Sequence, residues 1–296
     1  MLHKFKSIGL SLIALLTLGI ESVDGIEVSV SPPRFEIPIG GKKRSQSLKI
    51  KNFDDKPVQM KANIRSWTLD KNSKLQEIES TEQTLDQAII FTPSRFTIPP
   101  GGEQTIRFAI RPKVKLAPGE HRAIINLEEI PRQNKNRNPN SLITVASMGV
   151  VIYAYSGEIK RVGILNSVNL DTNSNGLTTA VFDISSQGNA HVRMNGQYAI
   201  WEAAKYPGSE VTKNIPGLDK SKIKLPANVL AAGKIKIKPV LATTRRQQIL
   251  PVAKKLPPGK YILDINGDLS GIPIDKGIPF TVPPLSNTSK SVNKKF

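Results

Sequence analysis

PPGGEQTIRFAIRPKVKLAPGEHRAIINLEEIP, running from Pro99 to Pro131, decides the fold. Pro99-Pro100-Gly101-Gly102 punctuates the chain, and Ile106, Phe108 and Ile110 then alternate with Thr105, Arg107 and Ala109. That period of two belongs to a half-buried strand. Pro118-Gly119 punctuates again, and Ala123, Ile125 and Leu127 repeat the alternation until Pro131 stops it. Neighbouring short strands separated by defined turns are the material of antiparallel sandwiches.

Outward from this block the pattern continues. Strands are expected at Glu27–Val30, Ser47–Asn52, Val58–Trp67, Ile89–Phe91 and Leu142–Tyr155, with Val58, Met60, Ala62 and Ile64 alternating. Trp67 to Ala88 reads as a polar, acidic excursion with at most a short helical turn, and Arg132–Asn140 as a solvated loop. Ser156-Gly157 breaks the pattern and is the expected hinge. Beyond it, strands are expected at Glu158–Leu170, Leu177–Ser185, Gly196–Ala203, Lys234–Thr244 and Gly259–Ile265. A Lys-, Pro- and Gly-rich insertion around Pro207–Gly233 interrupts them. Pro258-Gly259-Lys260-Tyr261 repeats the turn-to-strand logic of Pro118-Gly119-Glu120-His121.

The first 25 residues read as a secretory signal. Lys4 and Lys6 form a basic head, and Ile8–Ile20 is apolar but too short for a comfortable membrane span. The chain then divides into 26–155, 156–282 and a basic tail, 283–296. An exported protein without cysteine holds its sandwiches by packing alone. The formal charge is +18, with +7 on residues 26–155 and +11 on 156–296. Such a surface favours anionic partners. The basic residues are dispersed and aromatics make up only 5%, which leaves few stacking platforms and argues against nucleic acid.

The sequence gives catalysis little support. His3, His121 and His191 are isolated, and no nucleophile elbow, zinc-binding His pair or phosphate-binding loop occurs. No cofactor and no metal are expected. Asp264-Ile265-Asn266-Gly267-Asp268, with Asp275 beyond, superficially resembles a calcium loop, but Leu269 stands where the turn requires glycine. A turn is the alternative reading.

The segment Glu27–Tyr155 resembles the periplasmic pilus chaperones. It carries their signature Glu, an Asn six residues on, then Leu-x-x-Ile-Pro, as Glu120, Asn126, Leu127, Ile130 and Pro131. VSVSPPRF and Ile89–Arg107 are also similar to the family. The resemblance implies two immunoglobulin-like β-sandwich domains in the periplasm. It implies a protein that caps pilin-like subunits by lending a strand, in company with an outer-membrane usher. It also implies that Arg34 anchors the subunit's terminal carboxylate with a lysine from the last strand of the domain. Ile143, Val145 and Ser147, which share one face, would fill the subunit's groove. No basic residue occurs in Ser147–Tyr155, so Lys160 or Arg161 would have to supply the second charge. Four alternatives stay open: Arg34 as a surface arginine paired to Glu36, the last strand of the domain as an ordinary strand packing its own core, an exported structural or adhesive sandwich that binds anionic surface polymers, and an enzyme of unrecognised type.

Overall fold

The computed structural model describes residues 27–41, 45–70, 72–131, 145–173, 177–220, 223–252 and 255–284. The expected signal segment, Ile143, the Arg132–Asn140 loop and almost all of the basic tail lie outside these residues. The described chain is two β-sandwiches.

The first sandwich begins with β1 (Val28–Ser31), β2 (Arg34–Pro38), β3 (Ser45–Asn52), β4 (Val58–Leu69) and β5 (Leu75–Glu77). It continues through the short helix α1 (Leu85–Ala88), β6 (Ile89–Thr92), β7 (Arg95–Ile98), β8 (Glu103–Ile110), β9 (Gly119–Glu129) and β10 (Ser147–Ser156). One sheet has the order β1-β3-β8-β6, and the other β2-β10-β9-β4-β5, with β7 also paired to β4. Alternation drives their packing. Leu48 and Ile50 of β3 and Ile106 and Phe108 of β8 enter the core from one sheet, meeting Met60, Ile125, Leu127, Val150 and Ile152 from the other. Phe108 stacks edge-on against Phe35 at 4.9 Å. Asn52 is wholly buried yet satisfied. Its amide donates to the carbonyls of Lys56, Ile98 and Pro99 and accepts from the Asp54 N–H, tying two loops together.

The second sandwich packs β11 (Gly163–Thr172), β12 (Thr178–Ser186) and β15 (Arg245–Pro251) against a four-stranded sheet. That sheet has the order β14 (Val229–Lys234), β13 (Met194–Glu202), β16 (Gly259–Leu269), β17 (Ile272–Val282). Phe182, Ile184, Val192, Ile200, Leu263 and Ile265 form its core.

Several sequence expectations are corrected here. Lys234–Thr244 is not one strand: β14 ends at Lys234, and the next strand is β15. β2, β5, β7, β15 and β17 lie outside the expected strands, and β14 falls almost wholly in the stretch read as an insertion. Prolines at 38, 273 and 279 disguise β2 and β17, but both lie at sheet margins, where a missing N–H is tolerated. The calcium-like segment is strand: Asp264, Asn266 and Asp268 sit on β16 and pair with β17. The strand expected from Leu142 begins, within the described residues, at Ser147.

Phe108→Ala should destabilise the first sandwich by about 3–5 kcal/mol, because its side chain fills the space between the sheets. Urea denaturation checks this; an unchanged midpoint would contradict the packing described.

Candidate functional site: an open strand edge beside an interdomain crevice

β10 pairs with β9 along its whole length, from Ser147 opposite Glu128 to Ser156 opposite Gly119. Its other edge is treated differently. There β2 runs parallel to it and covers only Val151 to Tyr155, opposite Arg34 to Pro38. The reason lies in the residues before β2. β1 belongs to the opposite sheet, paired with β3, and the chain crosses between sheets through Pro32-Pro33, with a cis Ser31–Pro32 bond. The Val151 N–H donates to the Pro33 carbonyl at 3.2 Å, and Ile39 N–H donates to Tyr155 at the far end. Backbone groups of odd-numbered residues therefore face this margin. The next odd residues back along β10 are Gly149 and Ser147. Among the described residues no strand pairs with them on that side.

The side chains of β10 sort by parity. Met148, Val150, Ile152 and Ala154 pack on the core. Ser147, Gly149, Val151, Tyr153 and Tyr155 form the outward face. Ser147 and Gly149 are exposed, whereas Tyr153 is buried against Trp67, Ile124 and Leu241, the last from the second sandwich. Val145, just before the strand, is exposed. Beside the open margin the sheet is polar: Glu128 accepts from Lys61 at 2.7 Å and from Asn63 at 3.2 Å.

Arg34 stands where the open margin ends, opposite Val151. Its Nε lies 3.4 Å from the Glu36 carboxylate, and both side chains are partly exposed. Glu36 also accepts the Tyr155 hydroxyl at 2.9 Å and lies 3.9 Å from Arg161. The Arg161 guanidinium covers the Tyr155 ring at 4.7 Å. Burial, with the neighbouring Glu36 carboxylate, pushes the Tyr155 phenol up from its ordinary value. Of the two basic residues considered as a second charge, Arg161 reaches this cluster, whereas Lys160 pairs with Glu158.

The crevice between the sandwiches is organised around Glu120. Its carboxylate is fully enclosed, accepting from His191 Nδ1 at 2.5 Å, the His191 backbone N–H at 2.9 Å and Arg122 at 3.0 Å. The other imidazole nitrogen accepts from Arg193 Nε at 3.0 Å. Tyr153 packs on the His191 ring at 4.3 Å, and the Arg193 guanidinium lies over the Tyr153 ring at 5.5 Å. Burial by itself would raise the Glu120 carboxyl. The hydrogen bonds from the His191 ring and backbone, with the Arg122 charge, outweigh it and hold the group below its ordinary value. Arg246 adds a second tie, donating to the Leu69 carbonyl at 2.8 Å.

Sequence reasoning set Val145 and Ser147 on one face, took Arg34 from the family resemblance, gave Glu120 no role beyond the family signature and treated His191 as isolated. His191 is in fact buried and pairs across the crevice. A usable signal was present: Glu120/Arg122 and Tyr153/Tyr155 are each spaced by two on one strand, and His191/Arg193 flank the bridge residue Val192 with the same spacing.

Residues 28–152 match the model of a family described as pili and flagellar-assembly chaperone, PapD N-terminal domain. The first sandwich belongs to this PapD family. The PapD-type match stops short of the second sandwich. A search of curated proteins finds no match. The chain is also similar to the class 5 fimbriae chaperone CfaA, at 12% identity and TM-score 0.39, covering 88% of this chain and 100% of that one. The CsuC–CsuE chaperone–tip subunit complex from Csu pili of Acinetobacter baumannii gives 12% identity and TM-score 0.42, covering 86% and 97%. The Salmonella enterica complex of SafA pilin with the SafB chaperone gives 10% and 0.41, covering 88% and 97%.

Because the Glu120 carboxyl is depressed, its contribution is complete above the ordinary glutamate value and is lost as pH falls through the lowered one. Urea midpoints measured downward from about pH 5 should therefore fall more steeply for the native protein than for Glu120→Gln. Equal slopes would contradict the assignment.

Proposed function

We propose that the chain is a periplasmic chaperone that caps pilin-like subunits by adding the open margin of β10 to an incomplete subunit sandwich. The observation that carries this reading is the uncovered edge at Ser147 and Gly149, in a domain of the PapD family. Strand addition takes affinity from main-chain hydrogen bonds and fit from alternate side chains. The subunit's exposed core supplies the rest of the driving force when it is buried. No nucleotide or other cofactor enters this mechanism.

In this reading the incoming strand lies beside Ser147–Val150 and stops where β2 begins. Arg34 stands at that stop, with guanidinium nitrogens beyond the Nε that faces Glu36 available to fork onto a terminal carboxylate. Arg161 takes the place of the family's lysine. Val145 and Ser147, with Ile143 upstream, supply the side chains that meet the subunit. Ser147 and Gly149 are small, so this surface suits a subunit with bulky residues lining its groove. Export through residues 1–25, the division at 155/156 and delivery to an outer-membrane usher complete the proposal.

Ser147→Pro removes one outward N–H at the start of the strand, where proline is tolerated. It should weaken binding of a co-expressed pilin-like subunit about tenfold, the scale of one net hydrogen bond with its strand geometry, and leave the urea midpoint nearly unchanged. Arg34→Ala should weaken it as well. Binding indifferent to both substitutions but lost in salt would favour the anionic-polymer reading instead.

A further inference from the structure

The second sandwich carries a polar groove that the chaperone reading does not use. Met194, Tyr198 and Ile200 of β13 and Leu263, Ile265 and Leu269 of β16 face the core. The intervening residues therefore face out: Asn195 and Gln197, with Asp264, Asn266 and Asp268. Register sets Lys234, Gln197, Asn266 and Asp275 in a single rung across all four strands, with Asn195 opposite Asp268 beside it. Gly196 and Gly267 face each other between these rungs. Gly196 has φ +146°, and a Cβ there would lie 2.5 Å from the Asn266 carbonyl. The floor at that point is bare backbone.

Residues 206–219 return across this face as an arm. The Tyr206 hydroxyl donates to Asp264 at 2.8 Å, Asn266 reaches Thr212 at 3.4 Å, and Asp219 pairs with Lys234 at 3.6 Å. Two adjoining cavities of about 530 and 380 Å³ open between arm and sheet, sharing Asn195, Gly196 and Asn214. Each is within the size range of small-molecule sites. Gln197 is 8% exposed and lines the smaller cavity, and its amide has no hydrogen-bond partner among the described residues. The amide atoms keep contact with solvent, so a ligand's hydroxyls can take the place of water on them.

The lining selects the ligand class. Lys213, Lys234 and Lys236 balance Asp219, Asp268 and Asp275, so neither an anion nor a cation is favoured. No aromatic ring is present for stacking a base. What converges is a set of amides that both donate and accept, with carboxylates that accept, matching hydroxyls that do both. We propose that this groove binds a neutral oligosaccharide, with Gln197, Asn195 and Asn214 as its principal hydrogen-bonding residues.

The test is titration of the full chain, by calorimetry and saturation-transfer NMR, with maltotriose, tri-N-acetylchitotriose and trigalacturonate. One neutral trisaccharide should bind, and Gln197→Leu and Asn214→Ala should each weaken it about tenfold. Asn214 lies on the arm rather than in the sheet, so its variant decides the matter if Gln197→Leu fails to fold. Absence of neutral-sugar binding at about 10 mM would overturn the proposal. So would affinity unchanged in Asn214→Ala, or binding confined to trigalacturonate and abolished by salt.

Discussion

The chain cannot stay in one sheet through Pro32-Pro33, and this crossing determines what the protein has to offer. β1 joins one sheet and β2 the other, so the margin of β10 is covered only from Val151 onward. An uncovered edge invites pairing with another chain, and folded proteins generally blunt such edges. Here the polar rungs built from Lys61, Asn63, Asn126 and Glu128, with the small residues Ser147 and Gly149, keep the flanking surface hydrophilic. The backbone remains available while the neighbouring surface does not promote indiscriminate association.

The crevice at the other end of β10 makes this margin a fixed feature of a two-sandwich body. Glu120 is a buried carboxylate that stays charged because His191 and Arg122 satisfy it, and His191 comes from the opposite sandwich. Removing one partner of such a pair leaves a buried charge uncompensated, which costs far more than the pair itself contributes. Tyr153 packs tilted on the His191 ring and meets Trp67 edge-on, which places apolar contact beside the pair. Arg34, Glu36, Tyr155 and Arg161 then line the route from the crevice to the open edge.

The legibility of the sequence followed the physics of each element. β8 and β9 were readable because one face is buried and one is not, which writes a period of two into the residues. β2 and β17 were not, since edge strands accept prolines that a central strand would reject. The site divided in the same way. Val145 and Ser147 share a face by alternation alone, whereas Arg34 was assigned only through the family resemblance, and the bond from Glu120 to His191 spans 71 positions and depends on how two sandwiches meet. The aspartates that imitated a calcium loop proved to be alternate residues of β16, where strand spacing and metal-loop spacing coincide.

Amide hydrogen exchange at Ser147 and Gly149 tests the central claim most directly. Both amides should exchange freely in the isolated protein and become protected when a pilin-like subunit is bound, while Val150 and Ile152, already paired to β9, change little. Protection of Ser147 and Gly149 in the isolated protein, or their continued exchange in the complex, would contradict the account.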